Sequence, residues 1–378
     1  GYYGTGGLVG VLYSSGATVS NSFALGNAVA KVGDSSFGGL IGYGLSGASL
    51  QYSYTTQSKD LGNGLSSKTS VYNSSTLSTS NSDVTLGSSL TLADNLTVTT
   101  GAGAGDIVVT GAIDGAKALS LSAGTGAITL SGAVGQSTRL GALTLNSSGT
   151  TTLAQSVKAA SVTSNADGTL RINGGSVDTT GAQTYGEAIT LGANTTLTGT
   201  TINTQSTLAG GGNVLTITGA ADIDGAFSGI TNLSISGTSN IGADVTTSGT
   251  QTYTGAVTLS GADRTLTGTT INTQSTLAGG SNALTITGAA DIDGVYTGIS
   301  NLAISGTSNI GANITTSGTQ TYAGAATLSA NAELSGTRIT MASVTLQSGA
   351  TPTTLTVNTT HDLSAIDGVV SGTGALVK

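Results

Sequence analysis

Cysteine and tryptophan are absent from this sequence, and proline, methionine and histidine each occur once. Without cysteine there is neither a disulfide framework nor a thiolate metal site. With one histidine, His361, any histidine-dependent triad has a single candidate base. It lies near the end beside Asp362 and reads as an incidental surface residue. Charge is also scarce. Only 7% of residues are charged, 10 Lys and Arg stand against 18 Asp and Glu, and the formal net charge is −8. That excludes the clustered basic surfaces that nucleic acids and anionic lipids require. No apolar run approaches the length of a membrane span. The chain opens Gly1-Tyr2-Tyr3-Gly4 with no initiator Met and no signal peptide, and reads as a processed chain or a piece of a longer one. Aromatic bulk is low, with 3 Phe and 11 Tyr, too little for a large globular core. Gly-x-Gly occurs through composition alone, and nothing alternates strand with helix as a phosphate-binding loop needs.

What the chain has is repetition. Residues 198–243 read TGTTINTQSTLAGGGNVLTITGAADIDGAFSGITNLSISGTSNIGA, and residues 267–312 repeat them almost unchanged. The offset is constant, since 271 − 202 = 302 − 233 = 69, with no insertion. The differences are mild: Gly212 becomes Ser281, Val214 becomes Ala283, Phe227 becomes Tyr296 and Ser234 becomes Ala303. Gly318-Thr319-Gln320-Thr321-Tyr322 starts a third copy, matching Gly249-Thr250-Gln251-Thr252-Tyr253, and Gln183-Thr184-Tyr185 starts an earlier relative. A fixed period without insertions marks a structural unit. The copies are rich in Gly, Thr, Ser and Asn, which are poor helix formers. Apolar residues alternate instead, as in Leu215-x-Ile217, Leu233-x-Ile235, Val257-x-Leu259 and Leu302-x-Ile304. Period two over a few residues, broken by Gly, Asn and Asp, is the pattern of short strands and turns. The expected fold is therefore all-β, a β-solenoid whose narrow core is filled by Val, Leu, Ile and Ala. Dividing 69 by three predicts rungs of about 23 residues. About 16 rungs at roughly 4.8 Å would make a rod of about 80 Å.

Three stretches are distinguished. In residues 1–55, Gly6-Gly7-Leu8-Val9-Gly10 recurs as Gly38-Gly39-Leu40-Ile41-Gly42, and Ser20-Asn21-Ser22-Phe23-Ala24 is echoed by Gln51-Tyr52-Ser53-Tyr54-Thr55. Residues 56–83 are the least patterned and read as an irregular polar excursion or linker. Residues 84–378 form the regular shaft. Near its end Pro352 separates two strands, where a lost N–H is tolerable.

Candidate chemistry centres on acidic residues. Ile-Asp-Gly occurs at 113–115, 223–225, 292–294 and 366–368, and Asp222 and Asp291 precede the second and third. Spacing i, i+2 puts Asp222 with Asp224, and Asp291 with Asp293, on one strand face. Such pairs could serve as acid and base of a glycoside hydrolase. The competing reading is that Asp-Gly marks a turn, and a motif repeated along a shaft favours architecture. Gly101-Ala102-Gly103-Ala104-Gly105-Asp106 is a distant echo of calcium-binding nonapeptides. Asn203/Asn272, Asn213/Asn282 and Asn240/Asn309 keep register across the copies and are expected to stack on their own kind. Seven Asn-x-Ser/Thr sequons begin at Asn73, Asn95, Asn146, Asn194, Asn232, Asn313 and Asn358. Thr196-x-Thr198 and Thr265-x-Thr267 fit a flat water-ordering face or, more simply, the liking of Thr for pleated surfaces. No catalytic, cofactor-binding or metal residue is assigned, and no cofactor is expected.

Two sets of residues carry a family resemblance. The double-glycine blocks of residues 1–55 resemble the GLUG motif of bacterial surface proteins. The phrases GAITLSGAVG and LGALTL at 126–145, with QTYTGAVTL at 251–259, resemble filamentous haemagglutinin-like adhesins exported by two-partner secretion. This likeness runs over roughly residues 84–350. It implies a right-handed parallel β-helix outside the cell, on a bacterial surface. It implies an adhesive shaft, not an enzyme, mediating cell-cell, surface or biofilm-matrix attachment. The implied partners are an exopolysaccharide or cell-surface glycan, further copies of the chain, and an outer-membrane secretion partner. Some adhesins of this kind carry sugars at such sequons, while chance in a Thr/Ser-rich chain is the competing reading of the seven. A polysaccharide-degrading β-helix and a self-assembling extracellular filament are the alternatives.

Overall fold

Short alternating segments can bury one face only by stacking, and that is how the chain folds. The computed structural model describes residues 76–87, 89–347, 352–360 and 364–378, with the backbone of the strands between residues 5 and 75. His361 and Asp362 lie outside the described residues, as do residues 56–69. Among the described residues every regular element is a β-strand, and the paired strands run parallel. The chain is an all-β parallel β-solenoid. It divides into two compact units, Gly1–Ile189 and Thr190–Lys378.

In the first unit, the double-glycine repeat appears as strand pairing. Thr5–Gly6 lies beside Phe37–Gly38 and Val9–Leu12 beside Ile41–Gly44, one repeat further along the chain. Thr18–Ser20 pairs with Ser49–Gln51 and Phe23–Ala24 with Tyr54–Thr55 in the same way. A regular ladder starts at Ser70–Tyr72 and Ser75–Ser78, inside the stretch read as an excursion. Three ladders then climb together. One passes through Leu96, Leu119, Leu143 and Val162; a second through Val84, Ile107, Ile128, Thr151 and Leu170; a third through Leu90 and Ile113. The rungs of this unit start long, with partner offsets of 128 − 107 = 21 and 143 − 119 = 24, and tighten to 162 − 143 = 19. Across the tightened rungs, Arg139 donates to the carbonyls of Ala159 and Asp178 and pairs with the Asp178 carboxylate at 2.7 Å.

The second unit keeps three sides but uses shorter rungs. One inward column runs Leu197, Ile217, Ile235, Tyr253, Thr273, Ile292, Ile310, Leu328 and Leu346. Its offsets stay narrow, from 235 − 217 = 18 to 217 − 197 = 20. Nearly all of these side chains are fully buried, and each apolar one so removed from water contributes about 1.5–3 kcal/mol. Exposed Pro352 sits just before strand Thr354–Thr359, as the missing N–H requires.

The rung length corrects one expectation. A copy does not divide into three equal rungs. The ladder Asn203, Asp222, Asn240, Thr258 already completes three rungs at an offset of 258 − 203 = 55, short of the repeat offset of 69. The rest of the copy runs on from Thr258, past Leu266 on the second side, to Asn272 on the third. Each copy is three rungs plus two of the three sides. The same sequence therefore faces outward from different sides in its two copies.

Candidate ligand-binding surface

Each rung has the same local grammar. Apolar residues point in, and Thr, Ser, Asn and Asp alternate with them outward. At the corners an Asn or Asp stands immediately before the first residue of a strand. Its Oδ1 accepts the backbone N–H of the residue one rung on. Asn95 takes Ala118, Asp106 takes Ala127, Asn194 takes Val214, Asn232 takes Thr250, Asn301 takes Thr319 and Asn313 takes Glu333, at 2.7–3.0 Å. A peptide N–H at a bend has no ladder partner, and an orphaned one costs about 1–3 kcal/mol. Four sequon residues, Asn95, Asn194, Asn232 and Asn313, thus staple rungs. Asn301 does so without being part of a sequon, so the staple accounts for the asparagine. Asn146 and Asn358 are exposed on strands, and Asn73 lies outside the described residues. Asp106, which ends the calcium-like phrase, is a staple. Sequence reasoning misses these staples, although Asx directly before the first inward residue of a strand is the signal.

The Gln-Thr-Tyr triplets are interior bolts. Tyr185, Tyr253 and Tyr322 are buried and donate to Oε1 of Gln183, Gln251 and Gln320 at 2.7–2.9 Å. The glutamine amides donate to the carbonyls of Val177, Val245 and Ile314. Burial pushes these phenols well above their ordinary pKa. One residue breaks the pattern that follows the tyrosine. Where the later triplets continue to Gly255 and Gly324, the first continues to Glu187. Glu187 is fully buried, and neither carboxyl oxygen has a hydrogen-bond partner. Burial raises its pKa to about 8. The Ser164 hydroxyl pulls the other way, but no hydrogen bond of normal geometry joins them.

The paired aspartates lie on the outer face. Asp222 and Asp291 are half-buried, and Asp224 and Asp293 are exposed at the corner. Desolvation, and then the charge of Asp222, raise the pKa of Asp224. Asp-Gly does mark a corner. A side chain at Gly225 or Gly294 would collide with the backbone carbonyl of Ser206 or Ser275 in the preceding rung. The Asn pairs do not stack on their own kind, because equivalent positions of the two copies are on different sides. They flank the aspartate instead. Asn203 and Asn240 donate to the two oxygens of Asp222 at 3.3 and 2.8 Å, and Asn309 donates to Asp291 at 2.8 Å. Asn213 and Asn282 close a turn onto Gly210 and Gly279. The Thr-x-Thr pairs align with Thr216-x-Thr218 and Thr285-x-Thr287 on the next rung, forming small hydroxyl arrays on two sides.

Beside Asp291 the outer surface is hollowed. Ala289 and Ala290 form a low floor between Thr270, Thr307, Asn309 and Thr327, in a shallow open depression of about 520 Å³. Ser308 also lines it. Ser308 is 2% exposed, and its Oγ has no hydrogen-bond partner. Among the described residues no three acidic or histidine side chains gather as a metal site would need. This surface is built for contact, with hydroxyls and amides held in register by backbone ladders. The chain belongs structurally with β-solenoid repeat proteins. No known protein family, curated protein or solved structure matches it.

Proposed function

We propose that this chain is an adhesive shaft of an extracellular, bacterial surface protein of the filamentous haemagglutinin-like type, exported by two-partner secretion. The observation that carries the reading is the duplicated outer surface. Polar, nearly uncharged faces are repeated with the same residues in the same register, while buried Gln–Tyr pairs bolt the interior and corner asparagines staple the rungs. Repeated weak contacts add by avidity, which suits attachment to a polymer or a cell. The partner it fits is a glycan, either matrix exopolysaccharide or a cell-surface sugar chain.

A second reading rests on Asp224, whose raised pKa beside Asp222 resembles the split pair of a glycoside hydrolase. Against it, the pair recurs at Asp291 and Asp293, and a motif repeated along a shaft favours architecture over a single active site. One experiment separates the two. Beads coated with the chain are mixed with bacterial cells and with purified exopolysaccharides, and polymer size is followed by light scattering. Capture of cells or polymer at constant polymer size supports the shaft. Shortening of the polymer selects the hydrolase and makes Asp222 and Asp224 the first residues to replace. Failure to capture either one sinks the adhesive reading.

A further inference from the structure

The hollow beside Asp291 has a counterpart around Asp222 that matches it in sequence and register, on a different side of the coil. Around Asp291 the register is Thr270 beside Ala289, and Asp291 beside Asn309 and then Thr327. Around Asp222 it is Thr201 beside Ala220, and Asp222 beside Asn240 and then Thr258. The unpartnered buried atoms match as well: Ser308 Oγ and Asn272 Oδ1 in one copy, Ser239 Oγ and Asn203 Oδ1 in the other. The same buried hydroxyl and amide oxygen recur unpaired in both copies, so the two surroundings match down to the layer beneath the surface. The first copy lies on the ladder through Asn203 and Thr258, and the second on the ladder through Thr252 and Thr327.

We propose that each hollow binds a short stretch of a neutral, hydroxyl-rich sugar chain, so that the second unit holds two such chains on different sides and cross-links them. The chemistry of the lining selects the ligand. Hydroxyls, amides and methyls dominate, and no cation lines the hollow to draw an anionic polymer. The one carboxylate is occupied by the asparagine amide at its side. The depression is within the ~300–1,000 Å³ range of small-ligand sites. A repeat in step with the rungs would have put both sites on one side, where one straight chain could cover both. The extra two sides in each copy prevent that. This inference names the ligand class and sites of the adhesive reading and rests on it.

The test uses the full chain and a panel of neutral gluco-, manno- and galacto-hexasaccharides in titration calorimetry, with calcium chloride alone as a control. At least one hexasaccharide should bind at two equivalents per chain. Ala220→Leu or Ala289→Leu, which fills one hollow from its floor, should halve the stoichiometry, and the double variant should abolish binding. With the matching long polymer, the native chain should build a growing network by light scattering, and each single variant should bind without network growth. If a leucine variant melts early, Thr201→Arg and Thr270→Arg place an arm across the same hollows from outside. Binding that survives both blocks, one equivalent in the native chain, response to calcium alone, or no binding by any hexasaccharide would each overturn the proposal. The bead assay is independent of these outcomes. Capture of cells or polymer without binding at the hollows leaves the adhesive shaft standing and removes only the two-site account.

Discussion

Residues 198–243 and 267–312 are nearly the same peptide, folded on different sides of the same coil. Val214 and Ala283, or Phe227 and Tyr296, fill equivalent inward or turn positions with small differences in volume. Phe227 and Tyr296 are both fully buried, and the added hydroxyl of Tyr296 finds Thr273 Oγ1 at 2.7 Å. The comparison teaches that a rung does not know which side it is on. What each segment needs is local: an inward apolar residue, a corner that admits close approach, and a staple across the bend. Side is set only by counting residues along the chain. Paired substitutions at equivalent positions of the two copies should therefore cost the same, and a mismatch between partners would break this account.

The largest effect is expected at the bend glycines. Gly219 and Gly288 have φ of +129° and +131°, and a Cβ at either would strike the carbonyl of Gly199 or Gly268. Gly219→Val and Gly288→Val should each cost about 4 kcal/mol or more, from backbone strain and overlap together. Urea denaturation followed by circular dichroism would measure both. The two values should agree within about 0.5 kcal/mol, the scatter ordinarily seen between independent sites.

Glu187 sharpens the contrast between the first unit and the second, since Gly255 and Gly324 take its place in the later triplets. Its folded pKa of about 8 lies above the ordinary carboxyl value of 4.5. The folded chain then holds a proton that the unfolded chain has lost between those values. Stability should be full below pH 4.5 and fall as pH rises to 8, at up to about 1.4 kcal/mol per pH unit. Glu187→Gln keeps the shape and removes the titration. Melting curves from pH 4 to 9 should flatten in that variant, and an unchanged slope would show that the carboxyl finds a partner.

The bolts come next. Gln251→Leu strands the Tyr253 hydroxyl and takes the amide donor from the carbonyls of Val245 and Thr267, and should cost about 2–3 kcal/mol. Gln320→Leu should match it, because Tyr322, Ile314 and Ser335 are left in the same way. A difference above about 0.5 kcal/mol would mean that side matters after all.

Much of this is legible in the sequence. Leu215-x-Ile217 and Leu302-x-Ile304 mark strands because period-two alternation is the direct imprint of a pleated half-buried surface. Asp-Gly marks corners for the same local reason. Rung length is not legible from the repeat. Gly, Asn and Asp mark corners, but they are too frequent here to show which corners close a rung, and a duplication need not be a whole number of turns. The Asn pairs mislead in consequence, since stacking on their own kind requires each copy to return to the same side. Glu187 leaves only one trace, its departure from the glycine of the later triplets. The hollow leaves none, because it depends on two alanines meeting three threonines across four rungs.

The smallest paired effect tests the staple. Asn232 Oδ1 accepts the N–H and the hydroxyl of Thr250, and Asn301 Oδ1 accepts those of Thr319. Replacement by Ala orphans a peptide N–H at a solvent-facing bend, where water can partly replace the lost acceptor. Each change should cost about 1 kcal/mol. Asp at either position keeps an acceptor oxygen and should recover most of that loss, while Asn232→Gln, with its longer reach, should not. The Asp variant also removes the amide nitrogen and with it any sugar acceptor at Asn232. Full stability in Asn232→Asp, with loss in Asn232→Ala, would assign the residue to the staple. Equal loss in both would mean that the amide nitrogen, and not Oδ1, holds the bend together.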